Sequence, residues 1–234
     1  MKMNAPARRQ GRPPTIENAR GRILDEAAEL FARDGYDGAS LGSVADAVGV
    51  TKAAIYHYFP NKKVIYEAII VRTLKGLLQF VSHEVGRVHG AEESLTRFMT
   101  AHAEYFEGNY HGFVTMLVGY GGMEDITMIA ETKKLRDSYE ALLRNIVVAG
   151  IADSQFRQVD VHVTSRAVLS LLNWMVRWFK PGHGRPAAEF ALEYSSLLLS
   201  GIKEPANVQQ GPVAGKSKAE VPSHRRRARK QLTS

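Results

Sequence analysis

The amino-acid sequence predicts an all-α protein, and three observations lead to that fold class. Apolar residues recur at helical spacing, as at Ile23, Ala27, Leu30 and Phe31. Glycine and proline residues interrupt these stretches where helices would end. The N-terminal block shows none of the strict alternation that a half-buried strand requires. The chain is therefore expected to fold as about nine helices.

The first 63 residues are predicted to contain an arm and a small helical domain. Residues 1–16 are basic and contain proline and glycine, which predicts a disordered arm. Residues 17–63 are predicted to form a domain of three helices. Its first helix begins at about Asn18 and is expected to stop at Gly35, because glycine readily leaves the helical conformation.

Two short helices follow within this domain. Ser40 can cap a helix over residues 41–48 that Gly49 ends, and Thr51 can cap a third helix that runs to about Tyr58. Two helices of about two turns each, joined by a tight turn, have the dimensions of a helix-turn-helix. This motif predicts binding to double-stranded DNA, with its second helix in the major groove.

Seven residues of this domain are candidates for DNA contacts. The residues at the start of the second helix, which would reach the base edges, are Thr51, Lys52 and Ala53. The residues with donors suited to phosphate are Ser40, Tyr56, His57 and Lys62. The alternative is that this segment only builds a three-helix core. That alternative accounts for the apolar residues but leaves without a role Lys52, Tyr56, His57 and Lys62.

Residues 64–202 are predicted to form a larger helical domain. The predicted helices cover residues 62–88, 91–107, 123–149, 160–180 and 186–200, with a short apolar segment between Gly108 and Gly119. Residues 203–234 lack the apolar side chains that a folded core needs. They are therefore predicted to be a disordered basic tail.

The positive charge of the chain is concentrated at its two ends. Residues 1–63 hold ten basic against seven acidic side chains, and residues 203–234 hold eight against two. Residues 64–202 hold 13 against 15 and are nearly neutral. Basic ends suit contact with a polyanion such as DNA, although a basic tail can also serve solubility alone.

Several classes of protein are disfavoured by composition. There is no cysteine, which removes disulfides, thiolate catalysis and cysteine-bound zinc. Apolar stretches are far shorter than the ~20 residues of a membrane span, and no apolar run follows the N-terminus as in a signal peptide. The eight histidines lack metal-ligand spacing, and no catalytic constellation is present. The sequence therefore predicts a cytoplasmic protein with no catalytic site, no metal and no cofactor.

The segment from Arg22 to Glu67 closely resembles the tetracycline-repressor (TetR) family. The residues that carry the resemblance are Ile23-Leu24, Ala27, Leu30-Phe31, Gly35-Tyr36, Ser40, Val44-Ala45, Gly49-Val50, Ala54-Ile55-Tyr56, Tyr58-Phe59 and Lys62. The resemblance implies nine or ten helices, of which the first three bind DNA. It also implies a C-terminal body that forms a homodimer through its last two helices and holds an inducer pocket.

An effector pocket is predicted among the long helices of the C-terminal body. Its candidate residues are Phe98, His102, Tyr105, Met116, Tyr120, Trp174, Arg177 and Trp178. Residues 173–182 are similar to the corresponding helix in family members that respond to acyl-CoA thioesters. Trp174 and Trp178 would share one helix face, with Arg177 or Lys180 meeting an anionic end of the ligand. The alternative is that this aromatic stripe is only core.

The last two predicted helices are apolar over more than one face, which favours a four-helix bundle across a two-fold axis. The residues predicted to pack there are Leu169, Leu172, Leu192, Tyr194, Ser195 and Leu198. The sequence thus predicts a ligand-responsive repressor that binds a palindromic operator as a homodimer. The alternatives are a nucleoid-type DNA-binding protein without a ligand, or a helical enzyme.

Overall fold

The computed structural model describes residues 18–118 and 130–203, and within these ranges it contains nine α-helices and one short 3₁₀ helix. The α-helices are α1 (Ala19–Gly38), α2 (Leu41–Val48), α3 (Lys52–Tyr58), α4 (Lys62–Val85), α5 (Ala91–Gly108), α6 (Tyr110–Leu117), α7 (Ala130–Ala152), α8 (Val161–Trp174) and α9 (Ala187–Ile202). The 3₁₀ helix covers Met175–Arg177. The all-α prediction is confirmed.

Local capping accounts for where the first four helices begin. The side chains of Asn18, Ser40, Thr51 and Asn61 each accept a hydrogen bond from a main-chain N–H in the first turn that follows. Gly35 lies at φ 74° and ψ 172°, outside the helical region, so the regular helix stops there as predicted. A short second helical stretch follows across this kink and brings α1 to Gly38.

The two helices around residue 155 differ from their predicted bounds. Helix α7 continues to Ala152, so Gly150 lies inside the helix and is buried against the ring of Phe156. Helix α8 ends at Trp174 instead of continuing to Lys180. The chain then tightens into the 3₁₀ turn, which places Met175 and Phe179 in the core. Burial of these two side chains is the physical reason for the early end of α8.

Helices α1, α4 and α6 form the junction between the N-terminal three-helix unit and the rest of the body. Helix α1 packs on α6 and α4, while α4 also contacts α5 and α7. Two buried hydrogen bonds cross this junction. The Tyr66 hydroxyl donates to the carbonyl oxygen of Thr115 at 2.7 Å, and the Thr115 hydroxyl donates to the carbonyl oxygen of Ala28 at 3.2 Å. Residue Thr115 of α6 is thus tied to both α4 and α1.

None of the helices in the described residues combines the length and the hydropathy that a bilayer crossing requires.

Candidate functional sites

Helices α2 and α3 form a helix-turn-helix, and most side chains of its second helix are exposed. Helix α3 is anchored by Ile55, which is fully buried, and by Phe59 directly after it. The turn is closed by the N–H of Val50, which donates to the carbonyl oxygen of Ala45 at 2.9 Å. Most other side chains of α3 face solvent. This arrangement leaves the N-terminal half of α3 free to enter a groove of DNA.

The structure places the residues predicted to touch bases together at the exposed start of α3. Thr51, Lys52 and Ala53 are all exposed. The Thr51 hydroxyl oxygen accepts from the N–H of Ala54 at 3.2 Å, which leaves its proton for an outside acceptor. The Lys52 ammonium lies 6.0 Å from the ring centroid of Tyr56.

Three predicted phosphate donors lie on α3 or beside it. Tyr56 is 48% exposed, and the ring of His57 lies 5.2 Å from that of Tyr58 in an edge-to-face contact. Ser40 forms a reciprocal capping box with Ser43, in which each main-chain N–H meets the other hydroxyl at 3.0 Å. Ser40 is exposed at the N-terminus of α2, where the helix dipole favours an anion.

Lys62, the fourth predicted phosphate donor, has partners inside the protein. Its ammonium donates to the carbonyl oxygens of Tyr36 at 2.7 Å and Ala39 at 3.0 Å, and lies 4.3 Å from the centroid of the Tyr36 ring. These bonds satisfy carbonyls at the C-terminal end of α1 from the first turn of α4. In this structure Lys62 therefore joins two helices, where the sequence predicted a contact with phosphate.

We expect Lys62→Met to lower the free energy of unfolding by about 1–3 kcal/mol, because two charge-assisted hydrogen bonds are lost while the alkyl chain is kept. Urea unfolding followed by circular dichroism measures the change. Lys134→Met is the matched control, since Lys134 is exposed on α7. Equal stability of the two variants would show that the Lys62 bonds do not stabilise the fold.

The residues predicted to line an effector pocket are not brought to one cavity. Phe98, His102 and Met116 are buried in the core, where His102 Nδ1 lies 2.8 Å from the Tyr139 hydroxyl. Burial lowers the pKa of His102 to about 3, because the charged imidazolium would lose its hydration. Tyr120 lies outside the described residues.

The two tryptophans lie in different surroundings. Trp174 is 65% exposed beside Arg177, whose guanidinium carbon lies 5.7 Å from its ring centroid, at a shallow hollow of about 280 Å³. The ring of Trp178 packs edge-to-face on Phe190, with centroids 5.0 Å apart. The prediction that both rings share one helix face was wrong, because α8 ends at Trp174.

A larger cavity of about 890 Å³ lies between α1, α4, the α5–α6 junction and the segment after the 3₁₀ helix. Of the residues singled out in the sequence, Tyr105 and Lys180 line it. Arg72 and Lys75 on α4 also line it and were missed by the sequence analysis. Two basic residues three apart on one helix face are a signal that could have identified this wall.

Some of the residues predicted to form the dimer face the core of the protomer, and others face solvent. Leu172 and Ser195 are buried within the protomer, so they are not available to a partner without unfolding. Leu192 is 53% exposed, and Leu169, Tyr194 and Leu198 are partly buried. The exposed apolar side chains that α8 and α9 present, which we call the α8–α9 apolar face, are Val163, Leu171, Trp174, Leu192 and Leu197.

Comparison with known protein families matches most of the described chain. A family model described as "Bacterial regulatory proteins, tetR family" matches residues 23–69. A second model, described as "Tetracyclin repressor-like, C-terminal domain", matches residues 89–202. The first covers the helix-turn-helix and the second covers α5 to α9.

Three individual proteins illustrate the similarity. The crystal structure of PfmR from Thermus thermophilus, a TetR family transcriptional regulator, is 44% identical with a TM-score of 0.72, and the match covers 78% of this chain and all of that one. The transcriptional repressor KstR2 of Rhodococcus jostii is 26% identical over 83% of this chain and 99% of its own length. FadR from Bacillus subtilis, solved with stearoyl-CoA, shares the fold at 19% identity, with a TM-score of 0.68 and coverage of 78% and 99%.

Proposed function

Because the chain belongs to the TetR family of bacterial regulatory proteins, we propose that it is a transcriptional repressor that binds a palindromic operator as a homodimer and dissociates when a small molecule binds. The observation that carries this proposal is the geometry of α3, which is anchored by Ile55 and Phe59 while its N-terminal end, with Thr51, Lys52 and Ala53, is exposed. A two-fold dimer would present two such helices to successive turns of the major groove.

The coupling between ligand and DNA is proposed to pass through α6. Thr115 of α6 is bonded to Ala28 of α1, and Tyr66 of α4 is bonded to the carbonyl of Thr115. A ligand that displaces α6 would therefore displace the first helix of the DNA-binding unit with it. The ligand is expected to prefer the state in which the two recognition helices are apart. A preference of ~2 kcal/mol over the DNA-binding state would lower the affinity for DNA some tens of times.

The effector is proposed to be a hydrophobic acid carried as its CoA thioester. A small, uncharged apolar molecule is the alternative effector, and it would use the apolar residues alone. The cationic wall of the larger cavity, with Arg72, Lys75 and Lys180, favours an anionic ligand. Release of the operator by such a ligand would take place in the cytoplasm, where the operator lies.

The experiment that tests the repressor proposal compares a palindromic operator, selected from random sequence by this protein, with a scrambled duplex at equal salt. We expect binding of the palindrome to be at least a thousand-fold tighter. A nucleoid-type protein would bind both alike through diffuse positive charge. An affinity ratio near one would reject the repressor proposal and favour that alternative.

Substitutions on α3 are expected to separate base contacts from phosphate contacts. Lys52→Ala should change which base is preferred at one position of each half-site, with a loss of about 1–3 kcal/mol for the preferred operator. Tyr56→Phe should weaken binding of all sequences about equally, because a phosphate contact carries no sequence information. Fluorescence anisotropy over a set of single-base operator variants measures both effects. Unchanged affinity and preference for Lys52→Ala would mean that α3 is not the recognition helix.

The rival proposal of a helical enzyme finds little support in the site chemistry. Among residues 18–118 and 130–203, no three His, Asp or Glu side chains come together as potential ligands of a metal ion. His102, whose pKa is lowered to about 3, is enclosed between Tyr139 and Phe113 and does not line the larger cavity that could admit a substrate. We therefore propose a binding protein without a catalytic site or a cofactor.

A further inference from the structure

The 890 Å³ cavity has the size of a ligand site and a wall of mixed chemistry. Two aromatic rings, Tyr105 from α5 and Tyr110 from α6, supply flat apolar surface. The space beside Tyr105 depends on Gly76 of α4, since a Cβ there would come within 2.0 Å of the Tyr105 hydroxyl oxygen. This close approach brings the ring against α4, the helix that carries the basic residues.

Three basic side chains surround these rings. Arg72 and Lys75 come from α4, and Lys180 comes from the segment after the 3₁₀ helix. The Lys180 ammonium donates to the Tyr110 hydroxyl at 3.1 Å and lies 5.7 Å from the centroid of the same ring. A hydroxyl uses one of the three ammonium protons, so Lys180 keeps donors for an anion.

The two carboxylates of the cavity already have partners. Glu107 accepts from the N–H of Ala187 at 2.8 Å, at the N-terminus of α9. Asp25 of α1 forms an ion pair with Arg72, with an N–O distance of 2.7 Å, and both side chains are largely exposed. With these pairs formed, the cationic charge of Lys75 and Lys180 dominates the wall.

From this combination we infer that the cavity binds a phosphorylated nucleotide, as in the CoA portion of an acyl-CoA, with its phosphates on Arg72, Lys75 and Lys180 and its base against Tyr105 and Tyr110. The inference rests on the proposed function, because it assigns the site of the effector. Guanidinium and ammonium groups are the usual partners of phosphate, and adenine stacks on aromatic rings.

Binding of a phosphate at this site would compete with Asp25 for Arg72. The Asp25–Arg72 pair connects α1 of the DNA-binding unit to α4, and the guanidinium also donates to the Gly21 carbonyl oxygen at 3.4 Å. An exposed ion pair is weak, so a multiply charged phosphate can displace the carboxylate. The nucleotide would then loosen one of the contacts that hold α1 on α4.

The test measures binding of octanoyl-CoA, free CoA, octanoate and inorganic phosphate to the full chain by titration calorimetry. We expect octanoyl-CoA and free CoA to bind, with inorganic phosphate at least a hundred-fold weaker. Arg72→Gln and Lys180→Gln should each weaken both CoA ligands about ten-fold. Asp25→Asn should strengthen them about three-fold because the competing carboxylate is removed, whereas Glu29→Gln, one turn along α1 and outside the cavity, should not.

Several results would overturn this assignment. Equal CoA affinity in the wild type and both cation variants would place the nucleotide elsewhere, and weaker binding by Asp25→Asn would contradict competition for Arg72. Absence of CoA binding to the wild type would reject the site altogether. Operator binding is measured separately. A protein that binds the palindrome and is released by octanoate alone would retain the proposed role as a ligand-responsive repressor, but would lose both the CoA thioester as effector and the nucleotide site.

Discussion

Replacing Leu197 by glutamate is expected to convert the protein to a monomer at micromolar concentration and to lower operator affinity at least a hundred-fold. Leu197 is 72% exposed on α9, and Leu192 of the same helix is 53% exposed. An apolar surface of this kind is normally covered in a regulator that works as a dimer. Glutamate would bring an unpaired carboxylate from each protomer into that contact, at a cost of several kcal/mol per charge.

The loss of operator affinity follows from the loss of the dimer. A dimer holds two α3 helices at a fixed separation, so both half-sites bind in one event. A monomer has only one α3 and loses that gain in effective concentration. The solution mass from light scattering and the anisotropy of labelled operator report the two effects independently.

Val148→Glu is the matched control for this prediction. Val148 is also apolar and exposed, at 52%, but it belongs to α7 rather than to the α8–α9 apolar face. The control variant should remain dimeric and should bind operator as the wild type does. A dimeric Leu197→Glu protein, or a monomeric Val148→Glu protein, would place the contact between subunits on another part of the surface.

The dimer residues illustrate what helical periodicity can and cannot supply. The sequence correctly indicates that α8 and α9 are apolar over more than one face. It does not indicate which face belongs to the core of the protomer, and so Leu172 and Ser195 were assigned to the partner although both are buried within one chain. That distinction depends on which helices α8 and α9 pack against. Helix α8 lies mainly on α7, the helix before it, whereas α9 lies on α5, which is distant in sequence.

The helix-turn-helix could be predicted closely because its signals are local. Ser40 and Thr51 cap the helices that follow them, and the bounds of α2 and α3 lie where those caps place them. Lys62 shows the limit of the same approach. Its two carbonyl partners lie 23 and 26 residues earlier in the chain, and no local pattern reveals such a bond.

The effector site was the least predictable part, for two physical reasons. Aromatic residues at helical spacing serve a core as well as a pocket, and Phe98 and His102 belong to the core. The segment after residue 174 was extrapolated as a helix, whereas burial of Met175 and Phe179 turns the chain away. A cavity formed by α1, α4, α5 and α6 depends on long-range packing that a single helix pattern does not encode.

The free energy of unfolding is expected to fall by about 2–3 kcal/mol between pH 7.5 and pH 4.5 because of His102. The imidazole is fully buried, and this burial lowers its pKa from 6.5 to about 3 in the folded protein. Between these two values the unfolded chain binds a proton that the folded protein does not. Stability therefore falls as the pH drops below 6.5, by at most about 1.4 kcal/mol per pH unit, and levels off below about 3.

The Glu84 ion pair loses its stabilising effect at lower pH than His102 does. The interval from pH 7.5 to 4.5 therefore reports on the protonation of histidine. The Arg97 and His83 side chains lower the pKa of Glu84 from 4.5 to about 2, so stability from that carboxylate is lost only as the pH falls from 4.5 toward 2. Urea unfolding at half-unit steps from pH 7.5 to 4.5 thus reports mainly on histidine.

The double variant His102→Leu/Tyr139→Phe removes the titrating group together with its hydrogen-bond partner. Because both polar groups of the buried pair are replaced by apolar ones, the variant is expected to fold with about the wild-type stability at pH 7.5. Its stability should change less between pH 7.5 and 4.5 than that of the wild type, by about the 2–3 kcal/mol assigned to His102. If the wild type and the double variant show the same pH dependence, His102 is accessible to protons in the folded state, and the tight core between α5 and α7 opens more readily than the structure indicates.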